Sequence, residues 1–538
     1  MIRISEIKLP LDHEDADLRA AIVKRLRIPD VQLADYSIFK RSLDTRKRGH
    51  VQLVYVVDAL TTAGEKGILK RAHRDRGIRR TPEASYKMVA SAPAGLTERP
   101  VVIGTGPCGY FAGLLLAQMG FRPIVLERGQ AVRQRTVDTF GFWRQRKFNP
   151  NSNVQFGEGG AGTFSDGKLY SQIKDPNHYG RKVLRELVEA GAPDEILYVN
   201  RPHIGTFRLV KIVENLRASI VALGGEVRFG CQVTDLAVVD RRVIGVELAD
   251  GEQISTGHVV LAVGHSARDT FEMLHQRGVY IEPKPFSIGV RVEHPQSMID
   301  ACRYGPQAGH ELLGAADYRL VHHCRNGRSV YSFCMCPGGT VLAATSEEGC
   351  VVTNGMSQYS RAENNANAGM VVGITTADFP SDHPLAGVAL QRDLEARAFR
   401  AGGENYDAPG QLVGDLLAGQ ASSQLGSVLP SYAPAVNLTD LGQCLPEFVI
   451  DAFKEALPEF DRKLPGYAMA DVVMTGVESR TSSPIRIKRG DTYQSINTPG
   501  LFPGGEGPGY AGGILSAAVD GIKVAEALAL DMLGQDAQ

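Results

Sequence analysis

The stretch Val101-Val102-Ile103-Gly104-Thr105-Gly106-Pro107-Cys108-Gly109-Tyr110 constrains this chain more than any other. Three apolar residues predict a short buried strand, and the glycine spacing predicts a tight turn and a helix after it. Gly104 allows the turn, Gly106 lets the backbone approach a pyrophosphate, and Gly109 permits close packing of helix on strand. A helix over 109–119 presents free N–H groups and the positive end of its dipole to phosphates. A second strand over 122–127 ends in Glu127, about 20 residues beyond the glycines. A carboxylate there accepts hydrogen bonds from ribose hydroxyls and repels a 2′-phosphate. The spacing therefore predicts a dinucleotide site of the FAD or NAD kind, not one built for NADP.

At 538 residues the chain is long enough for two or three domains with sizeable cores. Its net charge of −1 gives no chain-wide bias toward nucleic acid. Met1–Glu6 alternates apolar with polar or charged residues, unlike a signal peptide, and no apolar run of about 18 residues exists to span a membrane. The eight cysteines show no C-x-x-C pair. A cytoplasmic protein is the expectation.

Residues 1–95 read as a small α+β domain, ferredoxin-like in outline. Ile2–Ile7 alternates like a strand, 14–27 places Leu18, Ile22 and Leu26 on one helical face, and 37–43 and 51–57 read as strands joined by a basic turn. Tyr86–Ala90 is expected as a last strand, and 91–99 as a linker. Through residue 90 there are 19 Lys and Arg against 12 Asp and Glu. The cluster Arg46-Lys47-Arg48 and the run Lys70 to Arg80 fit a solvated face that docks on the acidic remainder or covers an anionic substrate. A grip on nucleic acid through residues 40–80 is the less favoured reading, since no aromatic base-stacking motif accompanies the charge.

Gly157–Gly162 repeats the G-x-G-x-x-G spacing, but no apolar strand precedes it. It reads as a backbone-rich loop laid against the cofactor, with Asp166 and Lys168 as its polar contributors or as a salt bridge. Helices are expected at 178–191 and 207–223, strands near 226–230 and 243–249, and a buried strand running through Val260 to Gly264. His265 either polarises a substrate or caps a turn, and the turn is favoured.

In the stretch 318–336, Asn326-Gly327 predicts a hairpin. His322, His323, Cys324, Cys334 and Cys336 lie close together in sequence. Strand alternation sends the two histidines to opposite faces and zinc-finger spacing is absent, so no metal is expected. Cys336, before Pro337-Gly338-Gly339, is either a thiol beside the cofactor, acting as redox partner or general acid, or a buried cysteine at a strand end. Gly500–Gly513 leads into a helix from Ile514; its acid Glu506 suits the far end of FAD, and the helix N-terminus suits negative charge.

With both ends in view, the chain resembles the two-part flavoproteins of the glutathione-reductase type. More closely it resembles the bacterial FAD-dependent dehydrogenases, or NAD(P)/FAD-dependent oxidoreductases, of unknown substrate. The resemblance rests on Gly157–Leu169, Val260–Asp269, Phe333–Gly339, Glu478–Pro484 and Phe502–Gly513. It implies an α/β fold: a Rossmann-type FAD domain in two parts, 96–282 and 471–538, with an inserted α+β substrate domain at 283–470. FAD contacts are implied at Gly104, Gly106, Pro107, Gly109, Glu127 and Arg128 in the first part. Gly162, Thr163, Val233 and Gly264 come next in the chain, and Gly505, Glu506 and Gly513 complete the set. Phe207 departs from the family pattern, which carries an acid there.

The expected activity is hydride transfer between FAD and a small organic substrate, with Lys168, Cys336 and Arg480 as candidate catalytic groups. Arg480 either pairs with a substrate carboxylate or sits in a structural ion pair. No second Rossmann unit is present for nicotinamide, so NADH or NADPH binds transiently or the substrate itself reduces the flavin. A flavin-dependent RNA-modifying protein and a redox sensor without turnover are the rival readings. The sequence leaves the oligomeric state open.

Overall fold

In the computed structural model, which describes residues 1–47, 49–62 and 64–535, the apolar strands of the glycine-bearing stretch lie side by side. A five-stranded sheet runs in the order Leu501–Pro503, Val259–Leu261, Val101–Ile103, Ile124–Glu127 and Glu226–Phe229. Every neighbouring pair is parallel. Val101, Val102, Leu126, Val259 and Leu261 are fully shielded from solvent, as a parallel sheet covered on both faces requires. The helix Pro107–Gln118 is buried nearly all round because it packs on the sheet and on the last helix, Ile514–Met532. The chain therefore returns from beyond residue 500 to complete the sheet begun at residue 101.

The N-terminal unit has four strands, Ile2–Pro10, Leu33–Asp44, Gln52–Thr61 and Ile78–Arg80. Two helices connect them, Asp15–Leu26 and Glu65–Arg71, and taken in chain order the strands lie second, third, first, fourth across the sheet. Leu18, Ile22 and Leu26 are buried on one helix face, as the periodicity predicts. Tyr86–Ala90 is not a strand: Tyr86 reaches the last helix instead, its hydroxyl donating to Glu526 at 2.6 Å. The outer strand meets the remainder of the protein through main-chain bonds, Arg41 N–H to Tyr198 O at 2.6 Å and Asn200 N–H to Arg41 O at 2.7 Å.

A seven-stranded sheet forms the second large layer, ordered Val321–His323, Ser329–Cys336, Asn365–Ile374, Phe286–Pro295, Val473–Glu478, Ala408–Leu412 and Val436–Leu438. The sequence boundary at 470 falls short, since Val473–Glu478 pairs with Phe286–Pro295 inside this sheet before the chain crosses back. The alternation that marks a one-sided strand is missing from these residues, which are buried throughout, so their sheet could not be read from their pattern.

The two large sheets are joined by buried charge. Glu395, on the helix Ala386–Ala401, lies between Arg268 (Nη2–Oε1 2.7 Å) and Arg480 (Nη2–Oε2 2.7 Å). Burial alone would raise the Glu395 carboxyl, but the two guanidinium groups hold it well below its usual range. Removing one partner of such a group strands the others. Glu395→Gln is expected to lower stability by about 3–5 kcal/mol, measured as the urea midpoint of unfolding at constant slope.

Candidate functional site

The glycine loops enclose a cavity of about 440 Å³ that runs between the two large sheets. Gly104, Thr105, Gly106 and Pro107 form one wall where the helix Pro107–Gln118 begins, so its first N–H groups face the opening. The loop Gly157–Gly162 lies directly on this turn, with Gly159 N–H donating to Thr105 O at 3.1 Å. A Cβ added at Gly160 would sit 2.8 Å from the Gly106 Cα, so only glycine permits this approach. No strand precedes the loop, in keeping with its reading as backbone laid against a ligand.

Glu127 borders the cavity at the end of its strand and is 5% exposed. Its Oε2 accepts from Thr105 N–H at 3.0 Å and Thr105 Oγ1 at 2.6 Å, and its Oε1 accepts from Gly129 N–H and Gly157 N–H at 2.9 Å each. Glu127 thus braces the two glycine loops as well as forming wall. Arg128 pairs with Asp269 and lies 4.3 Å from the Phe156 ring centroid, and its buried Nε has no partner among the described residues. Val233, Gly162, Gly264, Glu506 and Gly513 also border the cavity.

Three expected contacts do not. Gly109 lies beneath the loop, where an added Cβ would be 1.9 Å from Gly104 O; it serves helix packing alone. Thr163 turns inward, Oγ1 to Glu158 O at 3.3 Å, while Gly505 gives its N–H to Asp520 at 2.8 Å and leaves the wall to Glu506. Spacing identifies these segments but not which residue of each faces inward.

On the cavity lining, Lys168 Nζ lies 2.8 Å from Asp166 Oδ2, and Arg361 binds the same carboxylate through Nε at 3.0 Å and Nη2 at 2.6 Å. Burial opposes the charge on Asp166, yet the two cations hold it well below the usual carboxylate range. Burial likewise opposes the charge on Lys168, but Cys336, Asp166 and Cys334 together push it well up, so the ammonium persists. The salt bridge that the sequence offers as one alternative is therefore present, and Lys168 borders the cavity as well.

Cys336 is fully buried and does not line the cavity; Cys334 does. A bulge between Phe333 and Cys336 explains the exchange, because it sets Cys334 at φ +42° and turns it out of the regular alternation. Arg480 borders the cavity, but each of its three nitrogens already donates to a protein group. Nε and Nη2 bind Glu395 at 2.9 and 2.7 Å, and Nη1 reaches Ser266 at 3.0 Å. It is a structural ion pair, not a free clamp for a carboxylate. His265 sits in a turn against Ser266 Oγ at 3.0 Å, its imidazole held neutral by burial and by Arg480 and Arg268, with its pKa down to about 3.

Other sequence candidates lie away from the cavity lining. His322 and Cys324 approach Glu455, their ligand atoms within 4.8 Å of one another. Phe207, which departs from the family pattern, is 54% exposed. Arg46 pairs with Asp44 at 2.6 Å, Arg48 lies outside the described residues, and Arg71, Arg74, Arg79 and Arg80 are exposed. Among the described residues no helix is long and apolar enough to cross a membrane.

Residues 201–323 match the family described as FAD dependent oxidoreductase, 285–481 match FAD-dependent protein, C-terminal domain-like, and 1–60 match a domain of unknown function. An uncharacterized protein of Clostridium beijerinckii is 46% identical over 526 residues, 98% of both chains. The chain belongs to a family of FAD-dependent oxidoreductases. Similar solved structures include a glycine oxidase from Bacillus cereus, 11% identical over 80% of this chain and 95% of that one, TM-score 0.31. Another is a glycerol-3-phosphate dehydrogenase from Bacillus halodurans complexed with FAD, 12% identical over 83% and 66%, TM-score 0.35.

The residues present fit FAD. Two helix N-termini, at Pro107 and Ile514, open on one cavity, the glycine cradle excludes side chains, and the unpartnered Arg128 Nε is a buried donor at the wall. Glu506, at the cavity wall, carries a charge that depends on pH. Burial pushes its pKa from 4.5 up to about 7, against the opposing pull of Lys284. A carboxyl that keeps its proton longer when folded makes stability fall as pH rises from about 4.5 to about 7. In the flavin-free protein, Glu506→Gln is expected to flatten that fall, read as the difference in melting temperature between variant and parent from pH 4 to pH 8.

Proposed function

We propose that FAD lies along the cavity with its adenosine end against Glu127, Arg128 and Val233 and its flavin end at Gly513, Lys168 and Cys334. The observation that carries this reading is the placing of the two helix N-termini on one cavity whose lining also includes Glu127 and the Lys168–Asp166 pair. When bound, the flavin supplies the two-electron chemistry. The small organic substrate approaches at Lys168, Tyr170 and Cys334. Lys168, kept as an ammonium, orients an oxygen or carboxylate of the substrate and is not the base that removes its proton. Phe333, which also borders the cavity, limits the water that enters with it.

In this reading residues 1–95 are a ferredoxin-like domain, the FAD domain is split around an inserted substrate domain, and the protein works in the cytoplasm. One parallel sheet serves FAD among the described residues, so NADH or NADPH acts as a transient reductant or the organic substrate reduces the flavin directly. The N-terminal unit joins the rest by main-chain pairing at Arg41, whose guanidinium also lies over the Tyr198 ring. Purified protein is expected to be yellow with one flavin per chain. On anaerobic addition of NADH or NADPH, rapid bleaching by either identifies the electron donor. A flavin that neither bleaches leaves the organic substrate as donor. A colourless preparation that refuses added FAD overturns the proposal.

A further inference from the structure

Cys334 is a non-glycine residue held in left-handed backbone, at a bulge position that glycine ordinarily fills. Such strain persists only where the surroundings impose it. Here Arg291 imposes it: buried and paired with Glu478 at 2.8 Å, it donates through Nη1 to Cys334 O at 2.9 Å. The result is a thiol at the cavity wall with a second thiol directly behind it. Cys336 is shut away from solvent, its Sγ lies 3.3 Å from Cys334 O, and Lys168 Nζ lies 3.9 Å from the same Sγ.

We infer that Cys334 and Cys336 form a thiol–disulfide exchange site that opens on the cavity and takes a low-molecular-weight organic disulfide as its oxidant. Cys334 is the attacking group because it alone of the pair faces the cavity, and Cys336 is the resolving group because it lies behind.

A hydrogen bond from Cys336 keeps Cys334 well below the usual thiol range although burial opposes this, and Lys168 and Arg291 add to the effect. The Cys334 thiolate attacks one sulfur of the disulfide R–S–S–R. That bond breaks, RS⁻ leaves, and a mixed disulfide forms on Cys334. Cys336 then gives up its proton to the departing thiolate and attacks the Cys334 sulfur, expelling the second RS⁻. One protein disulfide forms, and the organic disulfide gains the two electrons as RSH and RS⁻. The Lys168 ammonium stabilises the Cys336 thiolate in the second step. None of this requires FAD, so the proposal stands or falls apart from the placement of the cofactor.

The test treats the full-length protein with hydroxyethyl disulfide and locates the products by peptide mass spectrometry without reductant. Flavin absorbance and far-ultraviolet circular dichroism are recorded for every sample. The expected result is a Cys334–Cys336 disulfide, two thiols released per chain, and full reversal by dithiothreitol. Cys336→Ser is expected to stop at the mixed disulfide on Cys334. Cys334→Ser is expected to release thiol from this site about tenfold more slowly or not at all. If folded wild-type protein forms neither adduct nor disulfide at these positions, the proposal is overturned. It is equally overturned if the wild-type mixed disulfide on Cys334 is never resolved. The wild-type and Cys336→Ser arms decide the matter even where Cys334→Ser fails to fold.

Discussion

The Glu127 carboxylate is the constraint on which the site depends. It takes four protein donors from three separate turns, Thr105 in the first glycine loop, Gly129 after its own strand, and Gly157 at the head of the second loop. A buried carboxylate is tolerable only when it is so satisfied. The requirement runs both ways, since the turns are held together by the group they solvate. Arg135 does the same from the opposite side, filling its guanidinium with the carbonyls of Asn153, Val154, Glu158 and Gly160. The second loop therefore has a fixed shape although only its end, from Ala161, enters a short 3-10 turn.

The same device recurs at larger scale. Glu395 between Arg268 and Arg480 ties the nucleotide sheet to the inserted one, and Asp166 between Lys168 and Arg361 ties the second glycine loop to the segment after Ser357. Such pairs add little to stability compared with apolar packing of equal volume, but breaking them is costly. Their use here is positional. Each carboxylate sits at a border between elements far apart in sequence, and Glu127, Asp166 and Arg480 bring these borders to the cavity wall. The cavity is thereby defined by charge pairing more than by the rigidity of any one layer.

Much of this architecture is legible in the sequence because it depends on local rules. The strand before Gly104, the helix after it, Glu127 at the next strand end and the helix from Ile514 all come from spacing and apolar pattern. The hairpin at Asn326-Gly327 is legible for the same reason. The features that escape depend on tertiary context. Tyr86–Ala90 has the composition of a strand but pairs with nothing, because Tyr86 is drawn to Glu526. The choice between Cys334 and Cys336 turns on one bulge, and a bulge in a Cys-Met-Cys sequence carries no glycine to announce it. For Arg480 the sequence permits either a clamp or an ion pair, and only Glu395, 85 residues away, decides between them.

The pairing of Arg41 with the stretch around Val199 also bears on how the chain is made. Residues 1–80 contain every strand of their own sheet and leave the ribosome before Tyr198–Asn200, yet the outer strand Leu33–Asp44 has one side without a partner within that sheet. That side stays open until more than a hundred further residues have been added and Tyr198–Asn200 arrives to cover it. An uncovered strand is a template for pairing with other chains. The exposed Lys40 on that strand and the basic turn beyond it then act as temporary guards, keeping nascent copies apart by repulsion until the chain supplies its own cover.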